Sequence, residues 1–250
     1  MISKLPRWVE YGSFVLALVA GLVNSIGLLG FKHQSISHLS GTATLLGTGI
    51  VNSTFIDVLH LFIILFSFLV GAAVSGFFLR SGALKLSHNY SGLLSLEALL
   101  LFSSIYFLSN NSLNGHYLAS AACGLQNALA TTFSGAVIRT THVTGIFTDF
   151  GIMLGAKLRG EEFDKRKALL FLLIIIGFIL GGTSGAYLFS ILKFNALYVP
   201  AGICLLLALS YSTYQAKVNN QTKKTICRRV YSIIKQISIY VSETSLHEKA

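Results

Sequence analysis

Two copies of a short motif, His-x-[Ser/Thr]-Gly, combine side chains that could bind a small anion. The copies are His38-Leu39-Ser40-Gly41 and His142-Val143-Thr144-Gly145, which lie 104 residues apart. Each copy joins a long apolar segment to a short one. Ser40 or Thr144 could cap the short helix, whose N-terminal N–H groups and dipole would then attract an anionic solute. Alternatively, the same hydroxyl–glycine pairs only allow helices to pack closely.

Amide side chains occur inside the long apolar segments. They are Asn24, Gln126 and Asn127. Because lipid offers no hydrogen-bond partner, we expect these amides to face the interior of a helix bundle. There they could line a path for a solute, or they could hold helices together at about 1 kcal/mol each. With Ser40, Gly41, Thr144 and Gly145 they form the predicted substrate-binding set.

Four titratable residues are candidates for a proton or polar relay. They are His38, His142, Glu97 and Asp149. The two histidines occupy equivalent positions, where they could sense pH or lie at the membrane interface as ordinary amphipathic residues. Carboxyl groups within apolar segments are costly, which makes Glu97 and Asp149 functional candidates. If the chain folds back, Arg139 is predicted to pair with Asp149.

No catalytic or cofactor-binding pattern is visible, so the sequence predicts neither an enzyme nor a bound cofactor. No GxSxG, HExxH, phosphate-loop or dinucleotide motif occurs in it. The three cysteines, Cys123, Cys204 and Cys227, are scattered and suggest neither a disulfide framework nor a metal site.

The elements that must position these residues are membrane helices. Hydrophobic residues make up 53% of the 250-residue chain and charged residues 11%, where soluble domains carry about 25% charged residues. The mean hydropathy is +0.70. We therefore predict an all-α, polytopic transmembrane bundle with six long spans and two short segments. The long spans are Tyr11–Gly30, Val58–Leu79, Gly92–Leu108, Tyr117–Val137, Ala168–Phe189 and Ala196–Tyr214, and the short segments are Leu39–Val51 and Val143–Ala156.

An internal repeat divides the chain. Gly21-Leu22-Val23-Asn24 matches Gly124-Leu125-Gln126-Asn127 at an offset of 103, just before the two His-x-[Ser/Thr]-Gly copies. We predict a first membrane repeat over 1–110, a second over 111–215 and a basic cytoplasmic tail over 216–250. If the short segments do not cross, nearly all basic residues fall on the cytoplasmic side, which gives six spans, cytoplasmic termini and an inverted repeat. Eight spans would instead make the halves parallel.

The net charge of +10 arises largely from the loops and the tail. Basic and apolar residues alternate after Lys217 at near-helical spacing, which predicts an amphipathic helix on anionic lipid headgroups; a merely solvated tail is the alternative. No basic face with interleaved aromatic residues lies outside the tail, so nucleic acid is not an expected partner. The expected partners are the lipid bilayer, its anionic headgroups and an unknown small solute.

The paired motifs resemble the YoaK-like family of small bacterial membrane proteins, a domain of unknown function, over residues 10–215. The first half of that family has Gly-x-x-Asp-Ala and Met-Thr-Gly-Asn, and the second has Gly-x-Gln-Asn-Ala and Thr-Gly. This chain has Gly21–Ser25 and Leu39–Thr42, then Gly124–Ala128 and Thr144-Gly145. Asn24 replaces the usual acid and Thr42 the usual asparagine, so coupling through that acid is not expected here. The resemblance implies a multi-pass protein of the bacterial inner membrane and gives no substrate.

These observations favour a small-solute transporter or permease with a site between the repeats. The rival hypothesis is a non-transporting scaffold or partner subunit, in which the same residues serve helix packing and the tail recruits a lipid or a protein.

Overall fold

The computed structural model describes residues 8–30, 33, 35–79, 89–133 and 140–218, and this part of the chain is helical, without a strand. Met1–Ala208 forms one compact unit, and Leu209–Ala250 forms a second, which is described and helical over 209–218. The helices of the first unit are α1 (Trp8–Leu29), α2 (Leu39–Asn52), α3 (Phe55–Phe78), α4 (Asn89–Ser109), α5 (Asn114–Phe133), α6 (Val143–Leu158), α7 (Lys165–Leu192), a 3-10 turn (Lys193–Leu197) and α8 (residues 198–208).

The helices fall where the apolar segments predict them, including the two short segments, which are α2 and α6. Four stretches in the described residues are long and apolar enough to cross a membrane: Val9–Leu29, Phe55–Phe78, Asn89–Ser109 and Lys165–Val218. The helix α5 is not among them, although the sequence predicts a span over Tyr117–Val137. Large apolar side chains such as Phe62, Phe66 and Leu69 are exposed on α3, as a lipid-facing surface requires.

The first close helix pair is α1 with α7, which run parallel. Phe14 lies beside Gly177, and Leu18 lies beside Gly181 one turn further along both helices. A Cβ atom on Gly21 would collide with the Phe178 carbonyl oxygen, and one on Gly181 would collide with that of Leu18. Backbones therefore touch directly, which is the packing that small residues permit between membrane helices.

The second close pair is α3 with α5, which also run parallel. The Ser120 hydroxyl donates to the Ile64 carbonyl oxygen at 2.9 Å. One turn further along both helices, a Cβ on Gly124 would collide with the Phe68 carbonyl oxygen, and one on Gly71 would collide with that of Ala121. Glycines thus bring the two backbones into contact in the α3–α5 pair as they do in the α1–α7 pair.

The helices α1 and α5 run in opposite directions. One apolar cluster joins the later part of α1, from Val19 to Ile26, to Ala119 and Cys123 near the start of α5. A second cluster joins Val9 and Ala17, early in α1, to Ala130 near the end of α5. Consequently the C-terminal end of α1 and the N-terminal end of α5 lie at the same end of the unit.

The short helices α2 and α6 each connect long helices at one end of the unit. The Ser120 hydroxyl lies 3.4 Å from the Ile36 carbonyl oxygen, just before α2, as well as contacting Ile64 of α3. At the opposite end, Ile146 of α6 joins the cluster of Val9, Ala130 and Phe171. With 14 and 16 residues, the two helices are about 21 and 24 Å long, less than the roughly 30 Å of a hydrocarbon core.

We predict that Gly71→Val destabilises the protein, whereas Gly76→Val does not. Both glycines lie on α3, but a Cβ at Gly71 meets the Ala121 backbone and a Cβ at Gly76 meets nothing within 4 Å. Overpacking of this kind costs typically about 1–3 kcal/mol. Thermal unfolding of the detergent-purified variants measures the difference. Equal losses at both positions would contradict the close α3–α5 contact.

Candidate functional site

Asn24 holds the turn that leads into α2. Its Oδ1 accepts from the Ser35 hydroxyl at 2.8 Å, the Ser37 hydroxyl at 2.9 Å and the Ser37 N–H at 3.2 Å. The Thr42 hydroxyl, buried in α2, donates back to the Ser35 carbonyl oxygen at 3.1 Å. This amide oxygen is therefore saturated by the protein, which makes Asn24 a structural residue in this conformation.

Asn127 stands at the corresponding place on α5 but has a different environment. Its Oδ1 is buried and has no hydrogen-bond partner among the described residues. The hydroxyl of Thr140 is also buried without a partner in the described chain, in the turn that leads into α6. Buried polar atoms are nearly always paired in native proteins, so unpaired ones call for an explanation such as a ligand or bound water.

Gln126 connects α5 to α1. Its side chain is 1% exposed, and its Nε2 donates to the Leu16 carbonyl oxygen at 2.8 Å. The bond is made at the point where the two antiparallel helices meet. Gln126 thus fixes one helix against the other, and its neighbour Asn127 retains unused hydrogen-bonding capacity.

The paired His-x-[Ser/Thr]-Gly motifs begin α2 and α6. The predicted capping by Ser40 and Thr144 is wrong: the N-cap residues are His38 and His142, neither of which makes a side-chain capping bond. Ser40 and Thr144 are not buried, and each is the second residue of its helix. Gly41 is also exposed, and a Cβ atom added there would meet nothing within 4 Å, whereas the His142 ring lies against Gly145.

The relay candidates do not form one cluster. Asp149 is exposed on α6. Its predicted partner, Arg139, lies outside the described residues. Glu97 is 1% exposed in the apolar core, where the Cys204 thiol donates to it and its Oε2 has no partner among the described residues. His38 contacts Ser40, with 3.4 Å between its Nε2 and the hydroxyl oxygen.

A buried aromatic and imidazole cluster is a feature that the sequence does not predict. His60 on α3 and His116 on α5 are 3% and 0% exposed, and their ring centroids are 5.5 Å apart. The His60 Nδ1 lies 2.9 Å from the Tyr117 hydroxyl. The sequence feature that could have indicated this cluster is His60, a lone histidine within the apolar run of α3. Within the described residues, no group of three metal-ligating side chains forms.

These features define an all-helical membrane protein whose polar side chains are concentrated where helices meet. The family model described as "protein of unknown function (DUF1275)" matches residues 12–210. The chain belongs to this family, in agreement with the YoaK-like resemblance of its motifs. No curated protein and no solved structure matches it.

We predict different stability effects for the two corresponding asparagines. Asn24→Ala removes the acceptor of three hydrogen bonds and leaves their donors in a partly buried turn, at a cost of about 1–3 kcal/mol. Asn127→Ala removes an oxygen that bonds to no described residue, so we expect little loss. Thermal unfolding of both variants in the same detergent tests this. A greater loss for Asn127→Ala would contradict the assigned roles.

Proposed function

We propose that this protein is a secondary transporter for a small polar solute, built from two inverted repeats. One observation carries the proposal: when each residue of the α1–α7 contact is replaced by its counterpart in the internal repeat, the result is the α5–α3 contact. Moving Gly21 forward by 103 residues gives Gly124, and moving Phe178 back by 110 gives Phe68. Gly21 meets Phe178, and Gly124 meets Phe68, through the same backbone contact.

The second contact of each crossing obeys the same rule. Gly181 meets Leu18, and Gly71 meets Ala121. Gly71 lies 110 residues before Gly181, and Ala121 lies 103 residues after Leu18. Helix α1 thus corresponds to α5 and α7 to α3. The antiparallel course of the corresponding helices α1 and α5 supports an inverted relation between the proposed repeats. Inverted repeats of this kind underlie many secondary transporters.

The proposal includes six membrane passes. The contacts of Ser120 bring the start of α2 and the body of α3 to the end of the unit where α1 finishes. The opposite end holds the finish of α5, the start of α6 and the start of α7, whose Arg166 pairs with Glu10 of α1 at 2.8 Å. In this proposal α2 and α6 re-enter from opposite sides, which keeps the basic residues cytoplasmic.

The two helix pairs could move as rigid bodies and so open the solute site to one side of the membrane and then to the other. Direct backbone contact makes α1 with α7, and α3 with α5, resistant to sliding because side chains cannot adjust there. Among the described hydrogen bonds, the one that joins α5 of one pair to α1 of the other is the bond from Gln126 to the Leu16 carbonyl oxygen. Rocking of one pair against the other is the motion expected of such a protein.

The solute site that we propose includes Asn127 and Thr140. Both present a buried oxygen without a partner in the described chain, so a solute with hydrogen-bond donors would satisfy them. The predicted residues Gln126, Thr144 and Gly145 adjoin them in sequence. The family resemblance supports a location in the bacterial inner membrane, and the distribution of basic residues supports cytoplasmic termini with the basic tail on anionic lipid.

Cysteine accessibility tests the inverted arrangement. Thr44 and Thr148 are exposed at corresponding positions of α2 and α6. Both variants are made in a Cys227→Ser background, and an impermeant maleimide is added to the outside of inner-membrane vesicles. We expect Thr44→Cys to be labelled in vesicles of native orientation and not in everted vesicles. Thr148→Cys should be labelled in everted vesicles and not in those of native orientation. Labelling of both positions from one side would contradict the inversion.

Solute uptake tests transport itself. Proteoliposomes are incubated with an extract of polar metabolites, and their contents are compared by mass spectrometry with those of empty liposomes. We expect one solute class to accumulate with the wild-type protein and not with Asn127→Ala, which should remain folded. Gly76→Val provides a matched control, because its added side chain meets open space. Equal contents in empty and protein-containing vesicles would exclude transport and favour the scaffold hypothesis.

A further inference from the structure

The carboxyl group of Glu97 is the most unusual side chain in the apolar core. It lies on α4 within the cluster in which α1, α4, α5 and α8 meet. It is the ninth residue of a 21-residue helix, which places it near the middle of that span. Its neighbours in the cluster include Ala98 and Leu101 on its own helix.

Few polar groups face this carboxyl. Cys204 on α8 donates a thiol hydrogen bond to it, and Cys123 on α5 is the other nearby titratable group. The residues that α1 contributes to the cluster, such as Val23, are apolar, as are those of the 3-10 turn. Oε2 has no hydrogen-bond partner within the described chain, and the ion pairs of the described residues lie elsewhere.

An ionised carboxylate in these surroundings would be penalised heavily. Removing a charge from water remains costly even after the protein relaxes, and one weak thiol donor offsets little of this cost. The described conformation therefore holds the neutral acid. Release of its proton requires either water or a cation to reach Oε2, and both require the helices around it to separate.

We propose that Glu97 is the proton-binding site that couples the transport cycle to pH. It binds one proton from water when the surrounding helices close, and it returns that proton to water when they open. The inference rests on the proposed transport function and adds the coupling ion. Glu97 lies where both halves contribute helices, which is where coupling ions bind in transporters of inverted architecture.

The proposed opening of the protein to one side of the membrane and then to the other can be tested without knowledge of the solute. The full-length Cys227→Ser protein, carrying Thr44→Cys or Thr148→Cys, is reconstituted in vesicles buffered over a range of pH. Each labelling rate is divided by the rate of the same variant denatured at the same pH, because the reaction of a thiol with maleimide itself depends on pH. The ratio of the two corrected rates is then recorded. Buried Cys123 and Cys204 are retained, and their labelling is measured in the parent protein.

We expect the ratio to change with pH in the parent and to become constant with Glu97→Gln, which mimics the neutral acid. Glu162→Gln is the matched control, since Glu162 is an exposed acid between α6 and α7, and the response should persist there. A response that survives Glu97→Gln, or that is lost with Glu162→Gln as well, overturns the assignment. A pH-independent ratio in a parent protein that accumulates solute also overturns it, while transport stands. Absence of solute uptake as well would reject both proposals.

Chemical modification of the wild-type protein gives a second measurement that requires no variant to fold. An apolar carbodiimide enters through lipid and reacts with protonated carboxyl groups. The acid proton moves to a carbodiimide nitrogen while the carboxyl oxygen bonds to the central carbon, and nothing is released. We expect peptide mass spectrometry to find the adduct on Glu97, with less of it at alkaline pH. An unmodified Glu97 overturns the proposal.

Discussion

Direct contact between helix backbones determines how this bundle is arranged. Gly21 and Gly181 let α1 approach α7, and Gly71 and Gly124 let α3 approach α5, until a Cβ atom would meet a carbonyl oxygen. In lipid the hydrophobic effect does not drive helices together, so close van der Waals packing of this kind supplies much of the association. The remaining helices and turns are positioned relative to these two pairs. For example, Ser104 of α4 donates to the Gly115 carbonyl oxygen of α5 at 2.8 Å.

The distribution of polar side chains follows from the same constraint. A helix at the centre of a bundle contacts protein on most sides and can carry amides, hydroxyls and imidazoles that a lipid-facing helix cannot. Helix α5 illustrates this, because its buried residues include His116, Ser120 and Gln126. Its composition accordingly excludes it from the stretches apolar enough to span by hydropathy. The low hydropathy of α5 thus accompanies the burial of its polar side chains among other helices.

The sequence predicted the helices well because each is marked by a long apolar run or a paired motif. It could not predict which helices pair, since the contact of Gly71 with Ala121 joins residues far apart in sequence. It also assigned equal roles to Asn24 and Asn127, which the repeat aligns. Their surroundings differ because two serines flank the turn beside Asn24 and saturate it, whereas the turn before α6 has Thr140 and Thr141.

This difference separates two asparagines that the sequence motifs align. The Asn24 oxygen accepts three hydrogen bonds in the turn before α2, whereas the Asn127 oxygen pairs with no described residue. In the transporter that we propose, the solute would therefore bind at Asn127 and not at Asn24, although the sequence motifs align the two positions.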